Sequence, residues 1–122
     1  MPIRGYSVGI AVADRKKAAR WYTQKLGFRV FDHGGHWTTV GDRSGGLRLH
    51  LCEPERPAVR LKRTEVGNTA ILYTTTEPIL KAYARLRRKG VRFSEPPHEL
   101  PWGWVGKFLD PDGNEFWLCP AW

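Results

Sequence analysis

The 122 residues predict an α+β protein made of two tandem strand-helix-strand-strand-strand (βαβββ) modules related by pseudo-twofold symmetry. Repetition inside the chain carries that expectation. Asp14 and Gly27 bracket a helix-like stretch, and Glu77 and Gly90 bracket another, each 63 positions further on. Later landmarks recur at a spacing of 67: Trp37 with Trp104, Gly46 with Gly113, and Leu51-Cys52 with Leu118-Cys119. The residues after each helix also match, Phe28-Arg29-Val30 against Val91-Arg92-Phe93.

Each element has a local cause. Tyr6 to Val12 alternates, with Val8, Ile10 and Val12 on one face, and reads as a strand. Asp14 suits a helix N-cap and Gly27 a C-terminal stop. Phe28–Asp32, Trp37–Val40 and Leu47–Cys52 read as three further strands, divided by the turn-rich 33–36 and 42–46. Residues 53–67, with two prolines and mixed charge, form a linker. The second module then runs through a strand at Thr69–Thr75 and a helix from Pro78 to Lys89 with Ile79, Leu80, Tyr83 and Leu86 as its apolar stripe. Strands near Val91–Phe93, Trp102–Leu109 and Glu115–Cys119 complete it. The boundaries are about 5–53 for module one, 54–67 for the linker and 68–119 for module two, all within one domain spanning 1–122.

Composition narrows the function classes. No apolar run is long enough to cross a membrane, and the N-terminus lacks a signal-peptide profile, so a cytoplasmic protein is expected. The net charge is +8, and the stretches 14–25 and 77–89 carry +4 each. The excess therefore sits on the two predicted helices, whose outer faces normally meet solvent. No helix-turn-helix, zinc-finger or aromatic-plus-basic signature accompanies it, which disfavours nucleic acid as partner. Cys52 and Cys119 hold matching repeat positions and read as structural thiols.

Val8 to Phe28, with Val-Ala-Asp, Ala-Ala-Arg-Trp-Tyr and Leu-Gly-Phe, and Asp110-Pro-Asp-Gly-Asn-Glu-Phe-Trp-Leu118 resemble the glyoxalase/bleomycin-resistance/dioxygenase superfamily. The resemblance covers nearly the whole chain. It implies a vicinal-oxygen-chelate fold, in which the paired modules form a curled mixed sheet, or cup, covered by helices. Asp110, Asp112 and Asn114 read as turn residues around Pro111 and Gly113 rather than as ligands.

Metal-using relatives place His, Gln or Glu at the first and last strand of each module. Carried onto this chain, those four slots hold Ser7, His50, Ala70 and Trp117. One imidazole is too few for a catalytic ion, so no metal and no cofactor are expected, as in a metal-free branch of the superfamily. With strand alternation kept, Ser7, Gly9, Arg48, His50, Ala70, Leu72, Thr74, Glu115 and Trp117 face the cup.

The candidate ligand-binding set is therefore Trp37, Arg48, His50, Leu72, Trp102, Trp104, Glu115 and Trp117. Trp37 and Trp104, matched by the repeat, would place two related indoles where a flat ligand could be sandwiched, with Trp102 and Trp117 nearby. His50 is the one catalytic candidate, as general base or orienting group. Arg48 and Glu115 are repeat-equivalent and opposite in charge, so pairing with each other competes with ligand contact. His33, His36 and His98 fall in turns, and Trp21 and Trp122 in helix packing and a chain end.

Sequestration of an aromatic or natural-product-like small molecule, as in the bleomycin-resistance branch, is the leading reading. The basic charge argues against bleomycin itself, a cationic drug. The alternatives are a metal-free enzyme using His50 with Glu115 or Arg48, and a metal-dependent lyase or dioxygenase. Small two-module members commonly pair, so a homodimer is expected from the resemblance.

Overall fold

A computed structural model describes residues 4–35, 37–53 and 71–121. The linker at 54–67, the strand start at Thr69 and Ala70, His36 and Trp122 lie outside the described residues. Two compact units divide the chain, Met1–Val59 and Arg60–Trp122. Each carries the βαβββ topology.

In the first unit β1 (Val8–Ala11) leads into α1 (Arg15–Leu26), followed by β2 (Arg29–His33), β3 (Trp37–Gly41) and β4 (Arg48–Cys52). Asp14 caps α1: its Oδ1 accepts the Lys16 and Lys17 amides, each at 3.0 Å. Gly27 ends the helix at φ +70°, and the Phe28 amide returns to the Tyr22 carbonyl at 3.2 Å. Ala18, Ala19 and Tyr22 form its buried stripe. The sheet order is β1-β4-β3-β2, with β1 parallel to β4 and the other pairs antiparallel. Leu49 and Leu51 are fully buried on the face that α1 covers, while Arg48, His50 and Cys52 are half-buried on the open face.

The second unit repeats this with β5 (Ile71–Thr75), α2 (Ile79–Arg88), β6 (Arg92–Leu100), β7 (Gly103–Leu109) and β8 (Glu115–Pro120), ordered β5-β8-β7-β6. Phe108, Phe116 and Leu118 are buried on the covered face. Three expectations about its elements need correction. Pro78 stands at the N-cap of α2 rather than inside it, where its carbonyl accepts the Ala82 amide. Ala82, not Leu80, completes the buried stripe with Ile79 and Leu86, and Leu80 is 57% exposed. β6 reaches Leu100, well past Phe93, and includes His98, which is therefore on a strand and not in a turn. The prolines at 96 and 97 hid this strand, yet β6 is the edge of its sheet, where missing amides cost least.

The repeat itself carries a one-residue slip. His50 faces Thr39 in the first unit, and Trp117 faces Lys107 in the second. The last strands therefore correspond at 67 positions, but the strands before them correspond at 68. The connection from β3 to β4 spans 42–47 and that from β7 to β8 spans 110–114, one residue shorter. Within these two connections Gly45 and Gly113 are the positive-φ glycines, at +75° and +84°, so Gly46 is the additional residue. Trp37 consequently corresponds to Val105, and its pairing with Trp104 in the sequence was accidental. A one-residue shift moves a strand's side chains to the opposite face. Trp37 lies on the open face opposite Cys52, whereas Trp104 alternates with Gly106 and Phe108.

No helix among the described residues is long and apolar enough to cross a membrane.

Candidate functional site

On the open face of the first unit, one residue from each strand forms a row running across the sheet. Gly9 is registered with His50, His50 with Thr39, and Thr39 with Asp32. Asp32 joins this row because β2 bulges between Val30 and Asp32, which re-aims the chain by one residue. His50 Nδ1 lies 3.2 Å from Thr39 Oγ1. The Asp32 carboxylate accepts the Tyr6 hydroxyl on Oδ2 and the Trp37 indole N–H on Oδ1, the latter at 3.2 Å. Trp37 is held by that bond, with its ring stacked on His50 at 5.7 Å and 21°.

The bond from Tyr6 above all, with that from Trp37, holds the Asp32 carboxyl below its usual range. The same contact, more than desolvation, pushes the Tyr6 hydroxyl up. Arg48 lies over the rings of Phe31, at 4.3 Å, and Tyr6, at 5.3 Å. Thus Trp37, Arg48 and His50 do come together, and they do so with Tyr6, Asp32 and Thr39, which sequence reasoning missed. Only the bulge reveals Asp32, and a bulge leaves no signature in residue types alone.

The matching row in the second unit is Leu72, Trp117, Lys107 and Glu95. Again a bulge, between Phe93 and Glu95, brings a carboxylate into the row. Lys107 Nζ lies 3.2 Å from Glu95 Oε1 and 5.0 Å from the centre of the Trp117 ring. Ser94 donates to Glu115 Oε2 at 2.7 Å. The β6–β7 hairpin is longer than its counterpart and carries Trp102 in its turn, not in the strand as expected. Trp102 is 58% exposed and stacks on Trp117 with centroids 6.4 Å apart and planes inclined by 13°. Beside it a cavity of about 370 Å³ is lined by Trp102, Gly103, Trp104, Cys119 and Pro120. Leu72 is 37% exposed on the same open face. Burial raises the thiol pKa of both Cys52 and Cys119, and both are free.

Of the positions that bind metal in metal-using relatives, Ser7, His50 and Trp117 fall among the described residues and Ala70 does not. Among the described residues no three His, Cys, Asp or Glu side chains gather as a ligand set. One imidazole, already bonded through Nδ1, is a poor donor set for a divalent ion. Asp110 is a turn residue: buried, it accepts the Asp112 and Asn114 amides at 2.9 and 2.8 Å and the Asn114 side-chain amide at 2.8 Å.

The chain is 30% identical over 117 residues to the uncharacterized protein YetH of Bacillus subtilis (strain 168), covering 92% of this chain and 93% of that one. A crystal structure of a superfamily member from Sphaerobacter thermophilus DSM 20745 is 31% identical, with a TM-score of 0.74 over 97% of this chain and 98% of that one. TnmS3, an antibiotic binding protein from Streptomyces sp. CB03234, is 27% identical, with a TM-score of 0.75 over 99% of both chains. The family model that matches spans residues 6–118, taking in both βαβββ units. By fold and by sequence, this chain belongs to the Glyoxalase/Bleomycin resistance protein/Dioxygenase superfamily.

Proposed function

We propose that the protein binds a flat aromatic small molecule of the antibiotic or natural-product type and sequesters it without metal and without turnover. The observation that carries this reading is the Trp102–Trp117 stack beside its cavity, an exposed indole lying nearly parallel to one fixed by Lys107. Stacked rings supply broad, sequence-tolerant attraction for planar ligands, and a few polar groups then fix orientation. Trp37, Arg48 and His50 supply a second aromatic and polar surface of the same kind, and Leu72 and Glu115 flank Trp117. The likeness to TnmS3 over both full chains supports antibiotic-type ligands. The poor donor set at the four strand positions supports a protein that works without a divalent ion. Pairing of two copies belongs to the same reading and rests on the superfamily resemblance, while a cytoplasmic setting rests on composition and the grouping of both units into one domain on chain length.

Titrating planar aromatic antibiotics against the purified protein, with indole fluorescence as readout, tests the proposal. Quenching that saturates at one or two ligands per chain, weakened in Trp102→Ala and Trp117→Ala, supports it. Stoichiometric divalent metal by elemental analysis, together with consumption of the ligand, would overturn it. Light scattering on the same sample reads the expected dimer mass.

The Thr39–His50 contact favours one further reading, a metal-free enzyme with His50 as base. Turnover lost in His50→Ala would establish it in place of sequestration.

A further inference from the structure

The open face of the first unit carries two cations that no carboxylate answers. Arg29 is registered with Gly41, and Gly41 with Arg48, so both side chains rise from one row of the sheet. Phe31, the residue left over by the bulge, lays its ring against both. The Arg29 guanidinium carbon stands 4.2 Å from the ring centre, and that of Arg48 stands 4.3 Å away. Two glycines make room for the ring: a Cβ at Gly41 would come 3.2 Å from Phe31 Cε2, and one at Gly45 3.2 Å from Phe31 Cε1. The guanidiniums are thereby nearer to each other than the screening length, about 10 Å at 0.1 M salt. Among the described residues neither is paired with a carboxylate. The acids that follow in the chain are already engaged, Asp32 by Tyr6 and the Trp37 indole, and Asp42 by the Ser44 amide at 2.9 Å. Attraction to the Phe31 and Tyr6 rings holds the Arg48 guanidinium in place, while its forked N–H donors keep no anionic partner. Two residues along β4, or ~7 Å, His50 stands on the same face with Trp37 stacked on it. Beside His50 is Gly9, where an added Cβ would meet no atom within 4 Å.

We propose that Arg48 and Arg29 form an anion subsite that takes the carboxylate of a flat aromatic ligand whose ring lies along the Trp37–His50 stack. This rests on the ligand-binding reading above and names the ligand class, an aromatic acid. A guanidinium fork grips a planar carboxylate through two parallel bonds, so a neutral ligand of the same shape forfeits both the charge and the fit. The net charge of +8 acts in the same direction, because an acidic ligand is drawn toward a basic protein.

Two measurements test it. Calorimetric titration compares 2-naphthoate with 2-naphthamide, which keeps the ring and lacks the charge. The naphthoate is expected to bind about tenfold more tightly, with the preference abolished in Arg48→Gln and reduced in Arg29→Gln. Equal wild-type affinities overturn the proposal while leaving the ligand-binding reading intact. Side-chain ¹H–¹⁵N correlation of the arginine Nε–H groups then locates the anion. Benzoate is expected to shift the Arg48 signal, identified by its loss in Arg48→Gln, at concentrations where benzamide and acetate leave it unmoved. No shift with benzoate, or an equal shift with acetate, overturns the proposal. Binding of neither naphthalene counts against the ligand-binding reading, and the Arg48 signal alone then decides the anion subsite.

Discussion

Asp32 and Glu95 stand at the same point of the two sheets, each immediately after a bulge in an edge strand and each registered opposite a side chain of the neighbouring strand, Thr39 and Lys107. The chemistry built on that shared geometry differs. Asp32 accepts from Tyr6 and from the Trp37 indole, whose ring stacks on His50, whereas Glu95 pairs with a lysine that lies against an indole. The two units share a scaffold and differ in contents, one holding a polar cluster and the other an aromatic stack.

The stack makes the first prediction. Trp102→Ala is expected to weaken binding of a planar aromatic about fivefold, or roughly 1 kcal/mol, with the unfolding midpoint unchanged, because the ring is mostly exposed. Trp117→Ala should weaken binding and also lower the midpoint, since that ring is half-buried under Lys107. Calorimetric titration alongside urea denaturation separates the two effects.

Acid should loosen the first unit partly through Asp32. Its folded pKa lies below the ordinary 3.8, so the unfolded chain takes up the proton more readily. The associated stability is present above that ordinary value and is lost as pH falls through the lower, folded one. Asp14 and Glu77 are shifted the same way by their backbone and Arg85 partners, so total acid sensitivity is shared. Asp32→Asn is expected to flatten the pH dependence of the denaturation midpoint below the carboxylate range, relative to wild type.

Asp110 predicts a larger cost. Asp110→Ala removes a buried carboxylate that accepts the Asp112 and Asn114 amides and is expected to cost about 2–3 kcal/mol. Gly27→Ala, where the new Cβ has room but φ is +70°, should cost only about 1 kcal/mol. Urea midpoints compared at equal slope give both values.

Helix α2 offers a contrast between neighbouring positions. Leu80→Gln on the exposed side should change stability by no more than about 0.5 kcal/mol. Ala82→Leu, at a position with essentially no exposure, should cost about 1–3 kcal/mol through overpacking. Near-equal effects would show that the helix face had been assigned wrongly.

Much of this architecture was legible in the residues. The caps at Asp14 and Gly27, the parity of β4, β5 and β8, and the turn at Asp110 all follow from local chemistry that a short window contains. What escaped depends on counting between distant elements. Gly46 inserts a single residue, and every inference carried across it by the repeat changes faces, which is why Trp104 was matched to Trp37. The bulge before Asp32 likewise comes from pairing between strands and not from composition, so Asp32 and Thr39 looked like ordinary strand residues. Pro96 and Pro97 masked β6 because their tolerance depends on which strand ends up at the edge.

The row Asp32–Thr39–His50 has one end on β2, the outermost strand of its sheet. Outer strands open first in local fluctuations, at far smaller free energy than the whole fold. Each such opening carries Asp32 away from the Trp37 indole N–H and loosens the ring stacked on His50. Fraying of a sheet edge and the stacking of two rings further inward are thereby coupled. Amide exchange on β2 should slow when a planar aromatic ligand stacks on Trp37, reporting occupancy from a strand that need not touch the ligand.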